Sequence, residues 1–174
     1  MYDELNRLTD KRLHASTYDG SSAISLASNF QYLQSVDYTY NIRGWLTGIN
    51  DPTTASCTLQ SGDDLVDLFS MKLTYETNAD GGAPQYNGNI ATMQWNTYIN
   101  SSCGTRQLYR FAYDAANRLT SADHLTWNGS AWATPSPLRY TESGITYDLN
   151  GNIKTYTRQG LTSGTSRSIW PRST

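Results

Sequence analysis

Three aspartates recur at one place in a repeated pattern: Asp3, Asp114 and Asp148 follow Tyr2, Tyr113 and Tyr147. Equivalent carboxylates suit acid–base chemistry only if two of them meet in one pocket at a fixed separation. Two further copies carry an amide instead, Asn41 after Tyr40 and Asn87 after Tyr86. An amide keeps the hydrogen-bond acceptor and loses the charge. The exchange therefore points to side chains that cap turns by accepting backbone N–H groups, not to catalysis. The only histidines, His14 and His124, have no second His or Cys at ligand spacing, so no zinc site is expected. His14 reads as a surface residue and His124 as the start of a strand. No Gly-x-Ser-x-Gly elbow supports a serine nucleophile. Asp63, Asp64 and Asp67 lack the calcium-loop pattern and read as a solvated acidic turn. No catalytic residue, metal or cofactor is expected.

The elements that hold these side chains follow from the repeat. Five copies span residues 2–8, 40–46, 86–90, 113–119 and 147–153. The form is Tyr, Asp or Asn, two variable residues, Gly or Asn, a mostly polar residue, then Leu or Ile. The third copy lacks the two variable residues. The fifth position is Asn6, Gly44, Asn117 and Gly151, with Gly88 in the short copy. Gly and Asn tolerate positive φ, and a tight connection commonly ends on one such residue, forming a bulge. Asn87-Gly88 alone is a favoured two-residue hairpin turn. Each copy is thus expected to be a hairpin tip, with the fifth residue in the left-handed region.

The flanks alternate as half-buried strands do. Tyr109, Phe111 and Tyr113 face away from Leu108, Arg110 and Ala112; Ala91, Met93 and Trp95 face away from Thr92, Gln94 and Asn96. Met71, Leu73 and Tyr75 likewise oppose Ser70, Lys72, Thr74 and Glu76. The mostly polar alternate face predicts a sheet with one wetter side. One helical turn is expected within residues 61–69, where Leu65, Leu68 and Phe69 share a helical face.

Composition bounds the function. The chain has 174 residues, 16% charged, with net charge -2, so it has no basic excess to neutralise phosphates and nucleic-acid binding is not expected. No apolar run is long enough for a membrane-spanning helix, and residues 1–4 do not start a signal peptide. The 13 Tyr and 5 Trp argue for a β-rich, ordered chain. Cys57 and Cys103 lie among loop formers and leave both a disulfide and two separate thiols open. Asn100-Ser101-Ser102 and Asn128-Gly129-Ser130 match the glycosylation sequon.

The pattern Tyr-Asp-x-x-Gly/Asn-Arg-Leu-Thr, fullest at residues 113–120 and 2–9, resembles the YD repeat of the bacterial RHS family. Residues 147–153 resemble its Gly-Asn-Ile variant, and the resemblance covers residues 2–160. It implies an all-β fold of antiparallel β-hairpin repeats joined side by side into a curved sheet, part of an RHS shell. In large members that shell encloses a C-terminal toxin. The implied role is a non-catalytic structural segment of a secreted or cell-surface protein. Its partners would be neighbouring repeats and an encapsulated toxin domain. The chain begins inside a repeat and has too few repeats to close a cavity, so a piece of a longer array is expected. Residues 161–174 lose the pattern and read as a loose polar tail. The alternative is a carbohydrate-binding sheet in which exposed Tyr and Trp, with Trp95, Trp127 and Trp132 lining a groove, stack on glycans.

Overall fold

A computed structural model of the chain describes residues 1–15, 32–53, 67–99, 102–162 and 165–169. Cys57, Asp63, Asp64, Leu65 and Asn100, with residues 61–66 of the helical turn expected within 61–69, lie outside the described residues. Within the described residues the protein is all-β, with strands paired antiparallel and a single 3-10 turn at Ala79–Gly81. Phe69, assigned by sequence to that helical turn, opens a strand.

The chain forms two compact units, Met1–Lys72 with Asn96–Gly104, and Leu73–Trp95 with Thr105–Thr174. In the first unit, β1 (Asp10–Ala15) pairs with β2 (Tyr32–Tyr40), β2 with β3 (Leu46–Ile49), and β3 with the start of β4 (Phe69–Thr74). The end of β5 (Thr92–Ile99) pairs there with β6 (Ser102–Cys103). In the second unit the start of β5 pairs with β7 (Gln107–Tyr113), and β7 with β8 (Leu119–Trp127). The short β9 (Trp132–Ala133) folds back on β8. β8 also pairs with β10 (Glu142–Tyr147), β10 with β11 (Ile153–Thr162), and β11 with β12 (Thr165–Ile169).

Four repeat copies occupy tight turns, at Tyr2–Leu8, β2–β3, β7–β8 and β10–β11. Their fifth residues all lie in the left-handed region: Asn6 at φ 60, Gly44 at 78, Asn117 at 62 and Gly151 at 85. The ladder shifts register just before three of these turns, between Thr39 and Tyr40, Ala112 and Tyr113, and Thr146 and Tyr147. A bulge at the tyrosine, paired with one left-handed residue after it, is how a three-to-five-residue hairpin keeps the strand twist.

The third copy departs from the expectation. β4 ends at Thr74 and β5 starts at Thr92, so Asn87-Gly88 lies inside a long connection and is not a hairpin tip. Gly88 is still left-handed, at φ 98. A two-residue hairpin turn needs extended flanks on both sides, and here the preceding residues are committed elsewhere. Gln85 donates to the Tyr75 carbonyl at 2.7 Å and Ala91 to that of Thr74 at 2.8 Å. Gly82 packs so tightly that a Cβ there would collide with Thr92 and press on the Ala91 backbone.

The buried side chains also depart from simple alternation. In β5 the polar Thr92, Gln94 and Asn96 are the buried set, and Met93 and Trp95 are only half-buried. The Thr74 and Thr92 hydroxyls meet at 2.6 Å, which satisfies two polar groups within the covered face. In β7 the buried residue is Leu108, on the face opposite Tyr109 and Phe111. The apolar core of the second unit is Leu73, Ala91, Leu108, Ala122, Leu125 and Ile145. Among the described residues of the first unit, buried polar groups pair. Ser35 donates to Asp10 at 3.0 Å, and Asp10 accepts from Arg12 at 2.6 Å. The stretch read as a loose tail contains β12, held to β11 over Arg158–Thr162. Strand pairing there is a backbone ladder of mostly polar residues with only Leu161 and Ile169 apolar, which an apolar periodicity does not register.

Candidate functional site

The repeat places its residues at the joints between successive strands. In the Asp114 turn, the Asp114 N–H donates to the Arg118 carbonyl and the Asn117 N–H to the Asp114 carbonyl, both at 2.9 Å. One carboxylate oxygen, Asp114 Oδ1, accepts the N–H groups of Ala116 and Arg118, both at 2.9 Å. The other oxygen, Oδ2, takes the Arg118 guanidinium at 2.7 Å. The Asp3 turn repeats this with the N–H groups of Leu5 and Arg7 and the Arg7 guanidinium at 2.6 Å. The Asp148 turn substitutes the Asn152 amide, 2.9 Å from Oδ2. Donors gathered on an ionised carboxylate favour the charged form. The Arg118 backbone and side chain hold Asp114 below the usual aspartate value of 3.8; the Arg7 backbone and side chain do so for Asp3, and the Asn152 side chain and backbone for Asp148.

The tyrosine at position one then reaches backwards. Tyr40 donates its hydroxyl to the Leu8 carbonyl at 3.0 Å, Tyr113 to that of Ile90 at 2.9 Å, and Tyr147 to that of Leu119 at 2.6 Å. In each case the acceptor is the closing Leu or Ile of the preceding copy, the seventh residue of a full copy and the fifth of the short one. Two arginines close the same joints from the other side. Arg7 lies over the Tyr40 ring at 5.0 Å and Arg118 over the Tyr147 ring at 4.6 Å, within cation–π range. Arg7 also donates to the Asn41 carbonyl at 3.2 Å. The joint from the third to the fourth copy has Asn89 where those arginines stand; there the Asn87 amide donates to Asn117 Oδ1. Tyr2 and Tyr86 are exposed, whereas Tyr40, Tyr113 and Tyr147 are half-buried.

Sequence reasoning found the capping residues and missed the joint. The pairing of Asp at position two with Arg at position six, in 2–8 and 113–119, was the available signal. The acceptors are backbone carbonyls, which leave no mark in a sequence. The aspartates themselves sit in separate turns, each engaged with its own donors.

His124, expected at a strand start, lies inside β8 and is buried. It sits among Trp95, Tyr109 and Tyr140, and Trp95 stacks on Tyr109 at 5.4 Å. Trp127 and Trp132 form a cross-strand pair at 69° with the Arg106 guanidinium 4.2 Å over Trp127. The Trp132 indole donates to Asp80 at 2.8 Å. His14 lies in β1, its side chain outside the described residues. Asn128, in a sequon, caps its own turn by accepting from Ser130 and Ala131. Cys103 is disulfide-bonded.

No family model matches the chain, and no curated protein matches it either.

Proposed function

We propose that the chain is a non-catalytic repeat segment of a bacterial RHS-type secreted or surface protein. It is wall material for a β-shell of the kind that in full-length relatives encloses a C-terminal toxin or effector. The observation that carries this reading is the recurring joint, a position-one tyrosine hydroxyl on the carbonyl of the closing Leu or Ile of the preceding copy, made three times. An active site needs different groups converging once. Here similar groups meet repeatedly, and what they bind is the neighbouring repeat. The disulfide at Cys103 suits an oxidising compartment and so a location outside the cytoplasm. The glycan-binding alternative asks for coplanar, open tryptophans. Trp127 and Trp132 stand at 69° with a guanidinium over them, which favours the structural reading.

The test is to append further Tyr-Asp repeats and follow unfolding. A wall segment gains stability and cooperativity with each added repeat, as nearest-neighbour arrays do. Stability indifferent to added repeats overturns the proposal. So does turnover of a substrate that one side-chain change abolishes, or saturable glycan binding lost on Trp127→Ala.

A further inference from the structure

His124 is the largest buried side chain of the described residues that can change its charge near neutral pH, with 1% of its surface exposed. Its protonation state can be read from its neighbours. Gln107 Nε2 donates to the Thr105 carbonyl at 2.7 Å, which fixes that amide so that its oxygen faces the ring. Gln107 Oε1 lies 2.8 Å from His124 Nε2, so Nε2 carries the proton. Nδ1 is then a buried lone pair, and among the described residues no donor reaches it.

The surroundings disfavour a second proton. Trp95, Tyr109 and Tyr140 ring the imidazole at 6.0, 5.4 and 5.4 Å. Burial pushes the His124 titration below the ordinary histidine range; the Arg139 carbonyl opposes that shift, and the Arg139 charge adds to it. Arg139 Nε is itself buried without a hydrogen-bond partner among the described residues, and its guanidinium charge adds a second cation beside an imidazolium. The other charged groups nearby, Glu142 and Arg158, pair with each other at 3.4 Å and act on Tyr109.

What the ring packs against is the connection from β9 to β10. Tyr140 holds φ 60, a conformation a bulky residue adopts only when its surroundings impose it. Those surroundings are few. The Tyr109 hydroxyl donates to the Tyr140 carbonyl at 2.9 Å, Tyr140 donates to the Gln159 carbonyl at 2.6 Å, and Gln159 donates to that of Thr141 at 2.9 Å. The His124 N–H reaches Thr141 Oγ1 at 3.3 Å. β8 and β10 share one register pair, Glu142 with Ala122, so the aromatic cluster carries much of this joint.

We propose that His124 is an acid-sensitive pin: protonating Nδ1 drives the imidazole out of its aromatic surroundings and frees the Arg139–Thr141 segment, loosening β10 from β8. The sign follows from linkage. A base whose folded-state affinity for protons is lowered contributes stability that is complete above its unfolded value. That stability is lost as pH falls from there through the folded value. The inference rests on the second unit alone and stands whether or not the chain is wall material.

The test is amide hydrogen exchange on the whole chain at pH 8 and pH 5, corrected for intrinsic exchange, together with NMR titration of the His124 ring. The Tyr140 and Gln159 amides should lose protection about tenfold at pH 5, with the Asn117 amide unchanged. In His124→Gln the pH dependence at Tyr140 and Gln159 should vanish. Unchanged protection in the native chain, or a His124 ring that titrates as a free histidine does, overturns the proposal. These two readouts need no variant, so they decide the matter even if His124→Gln fails to fold.

Discussion

The Asn41 and Asp114 turns have the same backbone and different chemistry. In both, the fifth residue donates to the second residue's carbonyl and the second donates to the sixth residue's carbonyl, all at 2.9 Å. In both, one side-chain oxygen accepts two N–H groups, from Arg43 and Trp45 in one and from Ala116 and Arg118 in the other. The second carboxylate oxygen of Asp114 then holds Arg118, which lies over Tyr147. The Asn41 turn has Trp45 at that place, and Arg43 lies over the Trp45 ring at 5.1 Å instead. One oxygen builds the turn, and an amide supplies it as well as a carboxylate. The charge serves something else, the orientation of an arginine toward the next tyrosine.

The largest test asks whether the two backbones are equivalent. Gly44→Val and Asn117→Val should each cost about 1–3 kcal/mol in urea unfolding, because a β-branched residue is strained at positive φ. At Gly44 an added Cβ would meet nothing nearer than Arg7 at 4.0 Å, so the cost there is conformational and not steric. A negligible cost at either site would break the comparison; Asn117→Val also gives up the hydrogen bond from Asn87. The joints come next. Tyr147→Phe and Tyr113→Phe each remove a hydroxyl donor from a carbonyl and should cost about 1 kcal/mol. Tyr147→Phe keeps its ring under Arg118, so an additional Arg118→Ala should weaken it further.

Smaller effects sharpen the role of charge. Asp114→Asn should destabilise less than Asp114→Ala, since only the second loses the turn acceptor. An Asp114/Arg118 double-mutant cycle should show coupling at low salt that shrinks as salt rises, with none between Asn41 and Arg43. The smallest effect is with acid. Asp3, Asp114 and Asp148 are held below 3.8 in the folded chain. Their contribution is complete above that value and is lost as pH falls through the lower folded values. Replacing all three by Asn should flatten unfolding midpoints in that strongly acid range. It should leave the His124-dependent change nearer neutrality in place.

The turns were legible because Gly and Asn at a fixed position announce a left-handed residue, and Asn6, Gly44, Asn117 and Gly151 all adopt it. Asn87-Gly88 misled because a dipeptide signal carries no information on whether its flanks extend. The covered face was misread in β5 because Thr92, Gln94 and Asn96 are polar. Periodicity assigns polar residues to water, yet a pair such as Thr74 with Thr92 can meet its own hydrogen-bond needs under cover. β12 was missed for the related reason that a mostly polar ladder needs no apolar stripe. The joints stayed hidden because half of each is a main-chain carbonyl. His124 looked ordinary because its role comes from Tyr109 across the ladder and Tyr140 across a loop, partners that only the register brings together.

The tyrosine joint has a consequence for how such a chain can change over generations. Hydroxyl and carbonyl lie 32, 23 and 28 residues apart along the chain in the three joints, yet the contact is the same. The contact reads the opening residue of one turn and the closing residue of the turn before it. It is blind to the length of chain between them. Insertions and deletions that shift the far ends of the hairpins, as around Asn128-Gly129, therefore leave each joint in place. Within the second unit the turn ends of the hairpins are stitched at fixed points while the opposite ends are free to drift in length and composition, so lineages should differ mostly there.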